Sequence, residues 1–445
     1  MKVIYDIETL SNAFSYCDIN PKTLEKKEFI IHQDQNDFDG FVLYLKTLSG
    51  MIGYNNILFD AQVIQFILIN KHKFKELTDN NEGKIIANEI YQFAQKTIEM
   101  TNNGGWATYP EWKFFIPQLD LFKVWHFDNK NKMTSLKWIE YMLDLPDIQE
   151  MPIHHSENVT IQQMKKMVIP YNHHDVFATH ELYKITKGET DHPLYKGIDK
   201  IQLRLDVQEE FGIKCLNYND VKIGDSINKI TYSKLSGIPI KEISKNGTFR
   251  NKIKVSDCIK ANIKFESLEL QSFYNEFSKL EFDPLNLKKT KGKTFTFKGL
   301  TISFGFGGIH SVDKPRIIET DSEYYLTDKD CTGMYPRTII EKKLFPEHLG
   351  EAWYRGCEYI YNERAYKYKP QSKFNSKAKS FAESYKLANN GGSFGKTNEY
   401  SSWQYDPLVT FSITITNQFL LLKFAEMMLL NNISVVSLNT KTLVF

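Results

Sequence analysis

The sequence predicts an α/β domain over residues 1–185, followed by an α+β remainder with a helical insertion. Three observations carry this prediction. Strand and helix signals alternate from the N-terminus to about residue 185. Residues 186–300 then read as mostly helical and basic. After a glycine-rich break at Gly305-Phe306-Gly307-Gly308, a strand, a pair of helices, a long apolar helix and a hairpin follow in turn. A chain of 445 residues exceeds what one core supports, and 42% hydrophobic residues suffice for several.

The elements follow in order. Lys2-Val3-Ile4-Tyr5 is a strand ending in acidic residues. Gly53-Tyr54-Asn55-Asn56 turns into a helix that starts near Phe59-Asp60. Gln118-Leu119-Asp120-Leu121 reads as a strand, with Asp120 a carboxylate that could stand behind a site. From Pro170 to Leu182 the apolar spacing is helical, with Val176, Thr179 and Leu182 on one face. Tyr324-Tyr325-Leu326-Thr327 is a strand leading into Asp328-Lys329-Asp330. Residues 352–396 read as two helices joined at a Lys/Pro-rich turn near Pro370. Thr410 to Asn431 is one helix, and the stretch from Ser434 is a hairpin.

Composition narrows the class. The net charge is only +2, but residues 241–298 carry 13 basic and 7 acidic side chains and residues 355–400 carry 9 and 4. Five scattered cysteines with no CxxC pair argue against a disulfide framework or a zinc site and fit a reducing cytoplasm, of the host cell if the protein is viral. No signal-peptide core follows Met1. The apolar stretch from Phe419 to Leu430 contains Lys423 and Glu426 and is too short to span a bilayer, so no membrane partner is expected.

Asp6 and Glu8 flank one strand residue, so both point to one face. Two carboxylates so placed repel unless a divalent cation lies between them. Asp60 offers a third carboxylate at a helix start. Asp175 offers a fourth, with Tyr171 one turn earlier on the same face. The ordered set D-x-E, N-x-x-x-F-D and Y-x-x-x-D resembles the tyrosine-bearing branch of the DEDD exonuclease superfamily. That resemblance implies an RNase H-like fold with a mixed five-stranded sheet and a 3′–5′ exonuclease using two Mg2+ or Mn2+ ions ~3.5–4 Å apart. Asp6, Glu8, Asp60 and Asp175 would hold the metals, Tyr171 would orient the attacking water, and Asn55 or Asn56 would position the terminal nucleotides. Pro170 stands where a histidine-bearing branch has its histidine. His173 and His174 lie beside the motif and are expected to be packing residues.

Residues 330–336 read D-C-T-G-M-Y-P and resemble motif A of family B DNA polymerases, with Gly333 and Met334 in place of Ser-Leu. The resemblance implies that Asp330 binds metal and that Tyr335 lies under the incoming sugar and excludes a 2′-hydroxyl. Lys386 through Asn390, followed by Phe394-Gly395, resembles motif B, with Phe394 one residue late. Arg364, Lys373, Lys386 and Asn390 would then contact the triphosphate. Phe306-Gly307-Gly308 resembles the linker between exonuclease and polymerase, whose glycines admit template phosphates. Only 55 residues separate Asp330 from Lys386 and 48 separate Asn390 from Asn439, which argues against protein priming.

The whole chain is thus similar to a small phage-type family B DNA polymerase. The expected divisions are the exonuclease at 1–185, a helical connection at 186–300, palm at 301–351, fingers at 352–398 and further palm at 399–445. Motif C would follow Ser437-Leu438-Asn439-Thr440 but meets Lys441, a cation where the family has a metal-binding aspartate. The expectation is a chain truncated at motif C, without a thumb. It would excise single-stranded DNA 3′ ends by itself, and would extend primer-template with dNTPs only with a second chain carrying motif C and thumb. A non-catalytic DNA-binding or assembly subunit is the alternative.

Overall fold

The computed structural model describes residues 1–445 apart from 130–132, 190–196, 244–246, 288–291, 313, 316 and 441. The chain is a mixed α/β protein that divides into two compact units, Met1–Asn219 and Asp220–Phe445.

The first unit is built on strands β1 (Lys2–Leu10), β2 (Ala13–Ile19), β3 (Lys26–Ile31), β4 (Gly50–Gly53) and β5 (Gln118–Asp120). Their order is β3-β2-β1-β4-β5. The β1–β2 and β2–β3 pairs are antiparallel, whereas β4 joins β1, and β5 joins β4, in parallel. Parallel pairing needs crossovers, and the helices between these strands supply them on one face of the sheet. Val3, Tyr5 and Ile7 of β1 share one apolar cluster with the Asp60–Ile69 and Gly83–Asn102 helices. Ile4 faces the other way, into a cluster with Val176 and Leu182 of the Ile169–Thr186 helix. Strand alternation then puts Asp6 and Glu8 on the Ile4 face, toward that helix.

The helix is entered through a π-turn at Met164–Val168, where the Ile169 N–H reaches back five residues to the Met164 carbonyl. Pro170 lacks an N–H and its ring crowds the preceding turn, so a widened turn just upstream relieves the conflict. The unit continues past residue 185 because the Lys200–Phe211 helix is anchored to it. Arg204, fully buried, donates to the carbonyls of Val124, Lys200 and Tyr218.

In the second unit a six-stranded antiparallel sheet has the order β11-β13-β12-β10-β9-β8. Its strands are β8 (Lys293–Phe297), β9 (Leu300–Phe304), β10 (Ile309–Ser311), β11 (Asp328–Asp330), β12 (Ser437–Asn439) and β13 (Thr442–Val444). A separate two-stranded pair is formed by β6 (Ile253–Lys254) and β7 (Glu281–Phe282). Residues 237–300 are therefore less helical than expected. Beyond the Leu268–Phe277 helix, KTFTF and LTISF alternate with period two across a Lys298-Gly299 turn in which both residues have positive φ, a hairpin pattern. The strand expected at Tyr324–Thr327 also shifts. Asp321 caps a turn at Glu323 and Tyr324, and pairing starts only at Thr327, which exchanges hydrogen bonds with Phe445.

The Pro407–Leu430 helix starts at Asp406, whose carboxylate accepts the Leu408 N–H, and buries Phe411, Ile415, Phe419 and Leu422 against the sheet core. It is the one helix among the described residues long and apolar enough to cross a membrane, and most of that stretch is buried inside the protein. Its Lys423 pairs at 2.7 Å with the buried Glu426. All five cysteines are free thiols.

Candidate active site

Asp6, Glu8 and Asp175 converge, with one carboxylate oxygen from each lying within 4.8 Å of the others. Two come from neighbouring outward positions on β1 and the third from the helix that crosses it. Asp60 joins them from the start of the Asp60–Ile69 helix. Its carboxylate accepts the backbone N–H of Ile7, the residue between Asp6 and Glu8. Tyr171, one turn before Asp175, hydrogen-bonds to the Asp175 carboxylate. Five of the seven residues that the sequence singled out for the first site, four carboxylates and Tyr171, thus lie close enough to act on one another.

The electrostatics are those of a crowded acidic site. Burial, and then repulsion from Asp60, Glu8 and Asp175, holds the Asp6 carboxyl well above the usual range. Glu8 is raised by burial and by Asp175 and Asp60. Asp60 is pushed up to about 8, chiefly by burial, and Asp175 to about 6, again by burial first. Burial and the adjacent carboxylates also raise the Tyr171 phenol, so it stays protonated at neutral pH. Asp6, Glu8 and Asp175 make an acidic cluster that could bind a metal ion, and no cysteine or histidine belongs to it.

Sequence reasoning missed Lys137 and Glu140. The Leu136–Met142 helix, capped by the Ser135 hydroxyl, carries both, three residues apart. Lys137 favours the charged forms of Glu8 and Asp175. Glu140 is fully buried, with His174 Nε2 2.9 Å from its Oε2. His173 lies 3.0 Å from Glu28. Both histidines thus have carboxylate partners of their own, beside the site.

The doubled asparagine resolves into two roles. Asn56 is fully buried and donates to Gln118 Oε1 at 2.9 Å, beneath the site. Asn55, at φ 59°, is part-exposed. Asp120 holds this loop, accepting N–H donors from Asn55 (2.9 Å), Ile57 (3.3 Å) and Phe122 (3.0 Å). The loop in turn leads into Asp60. Replacing Asp120 with alanine leaves three N–H donors, two of them buried, without their acceptor. The expected result is a loss of ~1–3 kcal/mol in stability, read by urea unfolding.

The second unit holds its own candidate site. Asp330, Tyr335, Arg364, Lys386 and Asn390 line one cavity of about 290 Å3, together with Tyr361, Lys369 and Asn389. Lys373 is not among the lining residues; Lys369, four residues earlier, takes a place there. Asp330 ends β11 opposite Thr442, whose hydroxyl is 3.3 Å from its carboxylate. Arg364 sits in a second π-turn, Glu363–Tyr368, again just before a proline, Pro370. Phe394, displaced by the extra glycine, still meets the Tyr335 ring at 4.5 Å between centroids. The Gly391-Gly392 pair has its own cause: a Cβ on Gly392 would fall 2.2 Å from the Gly224 backbone, where the Asp220–Ser236 helix passes. Position 441, the expected departure in motif C, lies outside the described residues; the flanking β12–β13 hairpin forms as expected.

Compared with known proteins, the chain matches no protein-family model and no curated protein.

Proposed function

We propose that residues 1–219 form a 3′–5′ exonuclease acting on DNA ends with two divalent cations, Mg2+ or Mn2+. We also propose that residues 220–445 carry the nucleotide-binding part of a family B DNA polymerase. The observation that carries this reading is the convergence of Asp6, Glu8 and Asp175 within 4.8 Å, with Asp60 fastened to the backbone between the first two. The sheet order β3-β2-β1-β4-β5, antiparallel on one side of β1 and parallel on the other, supports an RNase H-like arrangement.

Asp6, Glu8, Asp60 and Asp175 would hold the cations, which when bound supply Lewis-acid polarisation of the scissile phosphate and a water of lowered pKa. The chain's own groups do the rest. The Tyr171 hydroxyl, kept protonated, orients the attacking water as a hydrogen-bonding group rather than as a base. Asn55, part-exposed where Asn56 is fully buried, is the better placed of the two asparagines to meet the terminal nucleotide. In the second unit the cations of Arg364, Lys369 and Lys386 around one cavity suit a triphosphate, with Tyr335 and Phe394 forming an aromatic floor for the sugar. That Asp330 meets these cations in one cavity supports the polymerase reading over that of a merely DNA-binding subunit.

The test is excision of a single-stranded oligonucleotide labelled at its 5′ end, in Mn2+. The wild-type chain is expected to shorten it stepwise from the 3′ end, and the Asp6→Ala, Glu8→Ala double variant to leave it intact. Equal shortening by both proteins would discard the nuclease assignment. An RNA oligonucleotide in parallel reads sugar preference.

A further inference from the structure

We propose that the tip of the helical hairpin, residues 372–380, is a binding surface for single-stranded nucleic acid, built on side chains other than those of the two sites described above. Residues 372–380 contain three basic side chains, Lys373, Lys377 and Lys379, and no acidic one. The hairpin sorts its aromatic residues into two sets. Tyr368 turns inward and fastens the two arms, with its ring 5.1 Å from Phe381 and 5.5 Å from Tyr385, the latter nearly parallel. Phe374 and Tyr366 turn outward and are 92% and 77% exposed, the former at the very turn. Large rings held this far into water on an ordered turn bury little area of their own. Beside Phe374 stand Lys373, Lys377 and Lys379, all exposed.

The same turn ends in the N-terminus of the Ser376–Asn389 helix, where the Asn375 side chain accepts the Ala378 N–H. The remaining first-turn N–H groups and the helix dipole add to the positive potential there. An exposed aromatic flanked by lysines, with no carboxylate within the segment, matches an unpaired polynucleotide. Bases stack on the ring, and phosphates lie against the ammonium groups. A duplex offers no open base face for Phe374, so the surface favours single strands. Lys373, absent from the cavity lining, finds its role here rather than at a triphosphate. The proposal stands on side chains outside the acidic site, and its test reads binding rather than hydrolysis, so the two can fail separately.

The experiment is fluorescence anisotropy of a labelled oligo-dT with the full chain in EDTA, which prevents cleavage. Charge reversal in Lys373→Glu, Lys377→Glu, Lys379→Glu is expected to weaken binding at least about tenfold. It should also lower the slope of log affinity against log salt by about 2, since each phosphate that a lysine neutralises adds ~0.7 to that slope. Phe374→Ala is expected to weaken binding about fivefold or more with the slope unchanged, and Phe374→Trp to restore it with indole quenching on binding. All these positions are exposed, so melting curves should match wild type. Unchanged affinity in both the charge-reversed and the alanine variants would overturn the proposal. So would neutrality of Phe374→Ala combined with equal losses for oligo-dT and for phosphatidylserine vesicles, which marks a surface for anions in general.

Discussion

Asp6→Asn is expected to make the metal-free protein more stable while abolishing excision. Burial first, and then repulsion among neighbouring carboxyls, raises Asp6, Glu8 and Asp60, so the native state without cations holds buried, crowded charges that the unfolded chain exposes and separates. Asparagine keeps the shape and removes one of those charges. A gain of ~1 kcal/mol would raise the melting temperature of a unit this size by about 2–4 °C. Activity should fall on the order of 10^3-fold, ~4 kcal/mol of transition-state stabilisation, because a proposed metal ligand is lost. A substitution in an ordinary packed core gives the opposite stability result, and one on an ordinary surface gives neither. Differential scanning calorimetry in EDTA, paired with the labelled-oligonucleotide assay, reads both effects on one protein preparation. A variant that melts lower than wild type in EDTA contradicts the account of the site as a charge-crowded cation receptor.

Stability of the metal-free first unit is expected to fall as the pH rises from about 4 to about 8, and added Mn2+ to cancel the fall. Asp175 titrates at about 6 and Asp60 at about 8 in the folded chain, both above the unfolded carboxyl value of 3.8. A carboxyl raised in this way binds its proton more tightly when folded. Its contribution to stability is complete below about pH 4 and is lost as the pH passes through 6 for Asp175 and through 8 for Asp60. A divalent cation replaces those protons and is bound with their release, so Mn2+ should stabilise strongly at about pH 8 and little at about pH 5. Melting curves across pH, with and without Mn2+, check both arms. A metal-free melting temperature that climbs over that range would show that other groups dominate the unit.

Much of the acidic site was legible because its residues obey local rules. Asp6 and Glu8 share a face by strand alternation, Tyr171 and Asp175 by helical spacing, and Asp60 starts a helix where the Gly53–Asn56 turn predicts one. Lys137 and Glu140 were not legible, because what places them is the packing of the Leu136–Met142 helix against the site and not a pattern along the chain. The two asparagines could not be told apart in sequence, since only the buried bond to Gln118 distinguishes Asn56 from Asn55. In the second unit the hairpin at Lys298-Gly299 lies inside the stretch read as mostly helical and basic, although its strands alternate plainly. Lys369 and not Lys373 lines the cavity because the helix ends at Gln371 and Lys373 falls in the turn beyond it. The division after Asn219 rather than near 185 follows from the buried Arg204, a long-range anchor with no sequence signature.

The most direct measurement is anomalous diffraction at the manganese edge from crystals grown with Mn2+. The account predicts two peaks in contact with carboxylate oxygens of Asp6, Glu8, Asp60 and Asp175, with the Tyr171 hydroxyl beside them. Carboxylates splayed apart with no manganese between them, in crystals soaked well above millimolar, would contradict it.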